Sequence, residues 1–435
     1  MPSKQEPQTP KQSVPISLKW KYIDAPKDFP EPHEDDVHEP HEDFKIHNSS
    51  KTIINNGAFW IFGASVRGLL HKHEGTHCDD WFEIEAAGPW TIIAVADGAG
   101  SKKFSRIGAK ESCKKAVEEL KKSLESLRLT DFETKLAWQD ACNPKINPEG
   151  IDENIKTFRD AVTEAREAVI NAFVSSCESL QNYTNDSANQ EKFYKVLGRT
   201  FIVDDLACTL NIAIHYPSKW GSMIIGCQIG DGLIGIVMPD GQSNVLSESD
   251  SGGYAGETKF LVSEGMCKDD VLLHRTKIFA DSISALLVMT DGVSNDFFPD
   301  KGSPTRLWAE LIMNGIPDVN VDLSNAEPNP NIDLKRYSET REVVEKEPRT
   351  SVLLRSASEY SKAKGISVEE LFPCPEKALF AHVGAKIEGR PNPQNDSDGA
   401  RLRLWLDAFY KKGGSKDDRS LVVLHPVVSH PEVKP

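Results

Sequence analysis

The segment Trp90-Thr91-Ile92-Ile93-Ala94-Val95-Ala96 is almost continuously apolar and rich in β-branched residues. It has no polar face to turn toward water, so it predicts a central strand covered on both sides. The run ends directly in Asp97-Gly98-Ala99-Gly100. A second apolar run, Ser284–Thr290, delivers Asp291-Gly292 in the same way. Two further strand-like runs border Gly230-Asp231-Gly232 and Asp417-Asp418-Arg419-Ser420, and the pair Asp79-Asp80 precedes Trp81–Glu85, which alternates at period two. Taken singly, each aspartate reads as a turn or cap residue. As an ordered set of five stations at strand ends, they aim hard oxygen ligands at a common point, which suits Mg²⁺ or Mn²⁺ and a metal-dependent phosphate-ester hydrolase.

The rest of the chain predicts an α+β fold. Phe59–Ser65 reads as a strand, with folded chain beginning near Ala58. Ile107–Leu127 and Ile155–Leu180 carry apolar residues at helical spacing, and a polar loop is expected over 182–192. Ala207–Tyr216, Gly221–Ile229 and Leu233–Met238 follow with short breaks, a meander pattern that makes the sheets mainly antiparallel. Residues 300–400 read as a surface excursion with a charged helical stretch, too poor in apolar residues for a core of their own. An amphipathic helix over Arg401–Tyr410 and a last strand over Ser420–Leu424 close the domain. The expected organisation is a disordered acidic, proline-rich tail over 1–52, one domain over 53–428 with an insertion at about 300–400, and a short tail over 429–435. The tail's near-repeat, Glu31-Pro32-His33-Glu34-Asp35 and Glu39-Pro40-His41-Glu42-Asp43, reads as a solvated tether.

Composition excludes several classes. The 435 residues are 39% hydrophobic and 27% charged, as in a globular protein with a sizeable core. A formal net charge of −15 argues against a dedicated nucleic-acid binder, and Lys102, Lys103 and Arg106 read as surface charge opening a helix. No apolar run approaches the ~20 residues that span a bilayer, and the polar N-terminus lacks a signal-peptide core, so a cytoplasmic protein is expected. Eight cysteines occur without a CxxC pair, which disfavours structural zinc. Cys208 and Cys227 read as buried thiols. Cys78, beside Asp79, lacks any activating partner except nearby His77.

The order of these motifs resembles the metal-dependent serine/threonine protein phosphatases, the PPM or type 2C family, and its bacterial members above all. The marks are Asp79-Asp80-Trp81, then Asp97-Gly98-Ala99-Gly100, the Thr-containing strand Ala207-Cys208-Thr209-Leu210, Gly230-Asp231-Gly232, Val288-Met289-Thr290-Asp291-Gly292 and Asp417-Asp418-Arg419-Ser420. They run from about Gly63 to Leu424. The resemblance implies an α-β-β-α sandwich, two antiparallel sheets packed together and flanked by helices. It also implies a site for two Mn²⁺ or Mg²⁺ ions. Asp97 would bridge them, Asp291 and Asp417 would complete the first, and Asp80 with the Gly98 carbonyl would hold the second, with Asp79 assisting through water. A weaker third site would use Asp231, with Asn295 at the expected second position and Asp296 next to it.

The implied reaction is attack of activated water on a phosphoserine or phosphothreonine ester, without a phospho-enzyme. Phosphorylated proteins, among them a serine/threonine kinase or its targets, are the implied partners of a monomeric enzyme that binds neither nucleic acid nor membrane. Two positions depart from the pattern. Ala99 stands where many relatives carry a histidine, and Gly75 stands near the place of a phosphate-clamping arginine, with His73 and His77 around it as candidate phosphate donors. A catalytically silent phosphoprotein-binding scaffold and a small-molecule phosphoesterase remain as alternatives.

Overall fold

In a computed structural model of the chain, the two runs that lack a polar face become inner strands of two different sheets. The described residues are 17–19, 44–54, 57–143, 145, 152–239, 241–246, 258–297, 303–313, 316–317, 386–388, 398–408 and 415–426. Five strands, β4 (Trp81–Ala87), β5 (Trp90–Ala96), β6 (Leu210–Ser218), β7 (Gly221–Ile229) and β10 (Lys277–Asp281), form an antiparallel sheet of order β10-β7-β6-β5-β4. Six others, β2 (Phe44–Ile54), β3 (Gly57–Val66), β8 (Leu233–Val237), β9 (Ser243–Val245), β11 (Ala285–Met289) and β13 (Arg419–Pro426), form a second antiparallel sheet of order β2-β3-β13-β11-β8-β9. A short parallel pair joins β1 (Ser17–Lys19) to β12 (Lys386–Glu388).

Side-chain alternation builds four layers from these sheets. In β5, Ile92, Ala94 and Ala96 point into a core with α2 (Ser105–Leu124) and α4 (Glu153–Asn185), whereas Ile93 and Val95 point at the other sheet. In β11, Leu286 and Val288 meet them from the opposite side, and Leu287 and Met289 pack outward against α8 (Ser303–Met313) and α9 (Asp398–Ala408). β13 divides the same way, with Val422 and Leu424 inward and Leu421 and Val423 outward. Every residue of β5 and β11 is buried because each strand has a layer on both faces. The α-β-β-α sandwich is the α+β architecture expected.

Several local expectations need correction. The six-stranded sheet starts at Phe44, not near Ala58, since β2 forms a ladder with β3 that is interrupted between His47 and Ser50. Lys45 fixes this strand across the layers, donating to the Phe82 carbonyl at 2.6 Å and pairing with Glu83 at 2.8 Å. The supposed loop over 182–192 is the end of α4 and the start of α5 (Ser187–Leu197). Its polar composition reflects a cap, with the Asp186 carboxylate accepting from the Ala188 and Asn189 amides at 3.0 Å each. The meander also breaks. β6 and β7 form one hairpin, but β8 belongs to the other sheet, so the chain crosses between layers at Gly230-Asp231-Gly232.

At that crossing Gly230 adopts φ +115, which L side chains rarely reach. Finally, 303–313 is not surface excursion. Leu307, Trp308 and Leu311 of α8 are buried in the outer core beside Trp405. Helices α1 (Leu69–Glu74), α3 (Lys135–Cys142), α6 (Asp269–Arg275) and α7 (Asp291–Phe297) complete the described elements, with a 3-10 turn at Val203–Leu206. The near-repeat of the tail, the glycine-rich stretch 249–257, the charged stretch 336–364 and the tail 429–435 lie outside the described residues. Among those described, no helix is long and apolar enough to cross a membrane.

Candidate active site

Strand register gathers the acidic stations at one end of the sandwich. Trp81 pairs with Ala96, so Asp80, just before β4, and Asp97, just after β5, leave their strands side by side. Met289 pairs with Leu421 on one flank and Leu233 on the other. Asp291 therefore lies between Asp417-Asp418, which lead into β13, and Asp231, which leads into β8. Asp97, Asp231 and Asp291 bring carboxylate oxygens within 4.8 Å of one another. Asp231 thus stands with Asp97 and Asp291 in the cluster, whereas the sequence pattern had put it only in a third site.

Hydroxyls and glycines hold these carboxylates in place. The Asp97 amide donates to Thr209 Oγ1 at 2.9 Å, and the Thr209 amide returns a bond to the Asp97 carbonyl at 2.8 Å. Thr290 Oγ1 donates to Asp80 Oδ2 at 2.8 Å while accepting the Ser420 amide at 3.0 Å, which ties the two sheets together. Thr258 Oγ1 donates to Asp231 Oδ2 at 2.6 Å, and Asn295 Nδ2 to Asp291 Oδ2 at 3.0 Å. Gly98 donates to the Asp79 carbonyl, and a Cβ on it would sit 2.9 Å from that oxygen and from Ser105. The glycine is required by the close approach of the Asp79 loop to helix α2. Gly232 is tighter still, with a Cβ meeting Asn211 Nδ2 at 2.2 Å and the Met289 carbonyl at 2.6 Å.

The cluster is electrostatically unbalanced. Burial, then the charges of Asp80, Asp291 and Asp417, raises the Asp97 carboxyl well above its usual range. Burial and Asp418 do the same to Asp80. Burial, then Asp231 and Asp417, lifts Asp291 to about 7, and burial with Asp418 lifts Asp79 to about 8. Asp417 is raised by burial and by Asp418. Three buried oxygens, Asp80 Oδ1, Asp231 Oδ1 and Asp291 Oδ1, accept no hydrogen bond. A buried acceptor without a donor costs about 1–3 kcal/mol, and more when charged. The set is left wanting positive charge.

Other acids nearby are already matched. Asp418 is buried and both its oxygens are partnered. Its Oδ1 accepts the Gly68 amide at 2.5 Å, and its Oδ2 accepts the Asp79 amide at 2.5 Å and contacts His71 Nδ1 at 2.9 Å. Burial lowers the His71 pKa, but the bond and charge of Asp418 more than reverse this and hold it at about 9, so the imidazole is a cation at neutral pH. Asp296, a sequence candidate for a third metal site, is instead ion-paired with Arg419 at 3.2 Å, both side chains 1% exposed, and accepts the Ser415 amide at 3.0 Å. It is committed to the protein.

Among the histidines, His71 lies among the acids, within reach of Asp417 and Asp418. His73 is exposed on α1, and His77 is half-buried between α1 and β4. Gly75 is the left-handed C-cap of α1, with φ 69, and its amide bonds the His71 carbonyl. The charge of Arg106 acts on Asp79. Cys78 is buried, and burial followed by the neighbouring acids pushes its thiol well up, so it is no thiolate nucleophile. Sequence reasoning missed His71, Arg419 and the anchoring role of Thr209 and Thr290. The threonines stood inside the quoted motifs, but nothing in their spacing revealed their partners.

The described residues thus form a four-layer α+β sandwich with unsatisfied carboxylates gathered at one rim. A family profile described as Protein phosphatase 2C matches residues 67–318, more than half of the chain. The chain belongs to that family, and its fold is the PPM sandwich. Similar solved structures include a bacterial serine phosphatase (11% identity, 86% of this chain and 98% of that one, TM-score 0.36). A serine/threonine phosphatase of S. agalactiae is also similar (9% identity, 84% and 99%, TM-score 0.38). A third is the catalytic domain of the serine threonine protein phosphatase PstP in complex with two manganese ions (12% identity, 85% and 98%, TM-score 0.35). No curated protein matches the chain.

Proposed function

We propose that the chain is a metal-dependent phosphomonoester hydrolase acting on phosphoserine and phosphothreonine in proteins. The observation that carries the reading is the trio of orphaned buried oxygens on Asp80, Asp231 and Asp291, set among carboxylates that burial and one another's charge push up. Hard carboxylate oxygens of this kind fit Mg²⁺ or Mn²⁺. Asp80, Asp97, Asp291 and Asp417 would hold two such ions, with the Gly98 carbonyl and Asp79 assisting and Asp231 available from the third side. Bound there, the ions supply Lewis acidity toward water and the phosphoryl oxygens.

The protein's own residues do the positioning. Thr209 and Thr290 fix the backbone of Asp97 and the carboxylate of Asp80. Asp418 holds the Asp79 amide and so sets the direction of the first acidic pair. Arg106, at the first turn of α2, acts on Asp79 through its charge and is a candidate cation for an incoming phosphate. Ala99 carries no proton for the leaving group, so that proton comes from elsewhere, and Cys78 is not used as a nucleophile.

The test is release of phosphate from a phosphopeptide with and without Mn²⁺, comparing wild type with Asp97→Ala. Metal-dependent release by wild type and its loss in the variant are expected; equal rates refute the reading. Ala99 favours one second reading, a silent phosphoprotein-binding relative. Calorimetry with Mn²⁺ separates the two, since a silent relative that has lost its metals takes up no ion in the micromolar to millimolar range.

A further inference from the structure

The start of helix α2 is pinned at the acidic rim. Gly98 donates to the Asp79 carbonyl, and a Cβ on it would meet both that oxygen and Ser105, the first residue of α2, at 2.9 Å. From there the helix runs along β4, the strand at one end of its sheet. Lys110 Nζ lies 4.5 Å from the Trp81 ring centroid, Cys113 Sγ donates to the Trp81 carbonyl at 3.7 Å, and Lys121 pairs with Glu85 at 3.1 Å. Residues four apart on a helix share a face, so Arg106, Lys110 and Lys114 form a basic row that leads away from the first acidic pair.

Two cations of this row are unmatched. The acids of β4 are engaged, Glu85 by Lys121 and Glu83 by Lys45 at 2.8 Å and by Trp81 Nε1 at 2.8 Å. On α2 itself, Lys115 pairs with Glu119 at 2.5 Å and Lys122 with Glu118 at 2.7 Å. Lys114 is exposed and Lys110 half-buried, and no carboxylate of the described residues, Glu111 included, forms an ion pair with either. Lys45 also lies over the Trp81 ring, at 4.2 Å, but its charge is met by Glu83, which leaves that of Lys110 unanswered.

We propose that Lys110 and Lys114 are specificity determinants, which select phosphopeptides carrying Asp or Glu about two and four positions from the phosphorylated residue. The spacing follows from the two chain geometries. At about 1.5 Å per residue, Lys110 and Lys114 stand about 7.5 and 13.5 Å along the helix axis from Ser105. An extended peptide advances about 3.3 Å per residue, so its second and fourth neighbours come opposite the two lysines when the phosphorylated residue is at the rim. Side chains at even separations in extended chain point to one side, so the phosphate and both acids are presented together. A chain of net charge −15 repels acidic peptides at long range, and these cations reverse that repulsion beside the rim.

The proposal rests on the phosphatase reading, and the experiment separates the two. Fluorescein-labelled phosphothreonine peptides with Asp or Ala at the second and fourth neighbours, on the N-terminal or the C-terminal side, are hydrolysed by the full chain in Mn²⁺. For one side, a KM on the order of three- to tenfold lower for the Asp peptide is expected, with kcat unchanged, as two partly exposed ion pairs supply. Lys110→Met with Lys114→Met should abolish the difference by weakening the Asp peptide alone, and Lys110→Arg with Lys114→Arg should keep it. Equal KM for Asp and Ala peptides in the wild type, or a double variant that weakens both alike, overturns the proposal. Lys114→Met alone, at an exposed position, carries the test if loss of the Lys110 contact with Trp81 unfolds the chain. If neither peptide is hydrolysed, the phosphatase reading fails and fluorescence anisotropy of the same peptides decides. Tighter binding of the Asp peptide that the double Met variant loses supports the selection, and equal or absent binding of both overturns it.

Discussion

Replacing Asp296 with alanine separates a structural acid from a metal ligand. The carboxylate faces Arg419 Nη2 at 3.2 Å in a site where both side chains are 1% exposed, and its other oxygen accepts the Ser415 amide at 3.0 Å. Removing it leaves a buried guanidinium without its counterion, a loss that costs about 3–5 kcal/mol when a buried pair is broken. It also leaves the Ser415 amide without an acceptor, worth about 1–3 kcal/mol. Against this, Arg419 keeps three carbonyl partners, Gly292 at 3.3 Å, Leu406 at 3.1 Å and Ser415 at 2.8 Å. These continue to solvate the cation and hold the total near the lower figure, about 3–4 kcal/mol. Urea unfolding of wild type and Asp296→Ala in excess chelator reads this difference directly. A metal ligand would behave in the opposite way, because removing it relieves repulsion in the metal-free protein and weakens Mn²⁺ binding. A stability loss below about 1 kcal/mol, or a gain, therefore refutes the structural assignment.

Three further outcomes are expected. Gly98→Ala should destabilise by about 1–3 kcal/mol, because the added carbon meets Asp79 and Ser105 at 2.9 Å. Gly100→Ala, which meets nothing within 4 Å, should stay within about 0.5 kcal/mol of wild type by urea unfolding. Histidine NMR should find His71 protonated past pH 8, with His215 and His425 neutral down to about pH 5, since burial alone depresses His215 to about 3 and burial leads the fall of His425 to about 4. The signs follow from linkage. His215 and His425 contribute stability that is complete above pH 6.5 and lost as pH falls from there toward their folded values, whereas the His71 contribution is complete below 6.5 and lost as pH rises through about 9. In chelator, Asp291 and Asp79 keep protons that the unfolded chain releases above 3.8, so they too make the protein less stable as pH rises toward 7 and 8, at roughly 1.4 kcal/mol per pH unit per proton. Saturating Mn²⁺ should flatten that slope in melting curves taken from pH 5 to 8; an unchanged slope would count against metal binding at these acids.

The strands that carry the site were legible because their chemistry is local. A run such as Trp90–Ala96 has no polar face, and that alone required a layer on each side. The acidic stations were legible for the same reason, each lying at one end of a strand-forming run. What could not be read was any relation between distant segments. Gly230 looked like a turn within a meander, yet it carries the chain from one sheet to the other, and nothing local to residues 229–233 records which sheet β8 will join. The polar stretch around Asp186 looked like a loop because capping residues and loop residues are the same types.

The acids themselves show where local reading stops. Asp417 and Asp418 are neighbours of one type with different roles. The charge of Asp417 helps to raise Asp97 and Asp291, and Asp418 turns to the amides of Gly68 and Asp79 and to the His71 cation. Asp291 and Asp296 are separated by less than two turns of helix α7, yet one has an orphaned oxygen and the other a buried arginine. A count of carboxylates therefore overstates the ligands. An acid whose charge is met by a cation of the chain helps to hold the fold, and one whose charge is met by nothing is left to bind what the chain lacks. That distinction depends on His71 and Arg419, two cations that no motif of the acidic stations includes by role. It is why Asp231, with an unpartnered oxygen, moves into the site while Asp296, without one, leaves it.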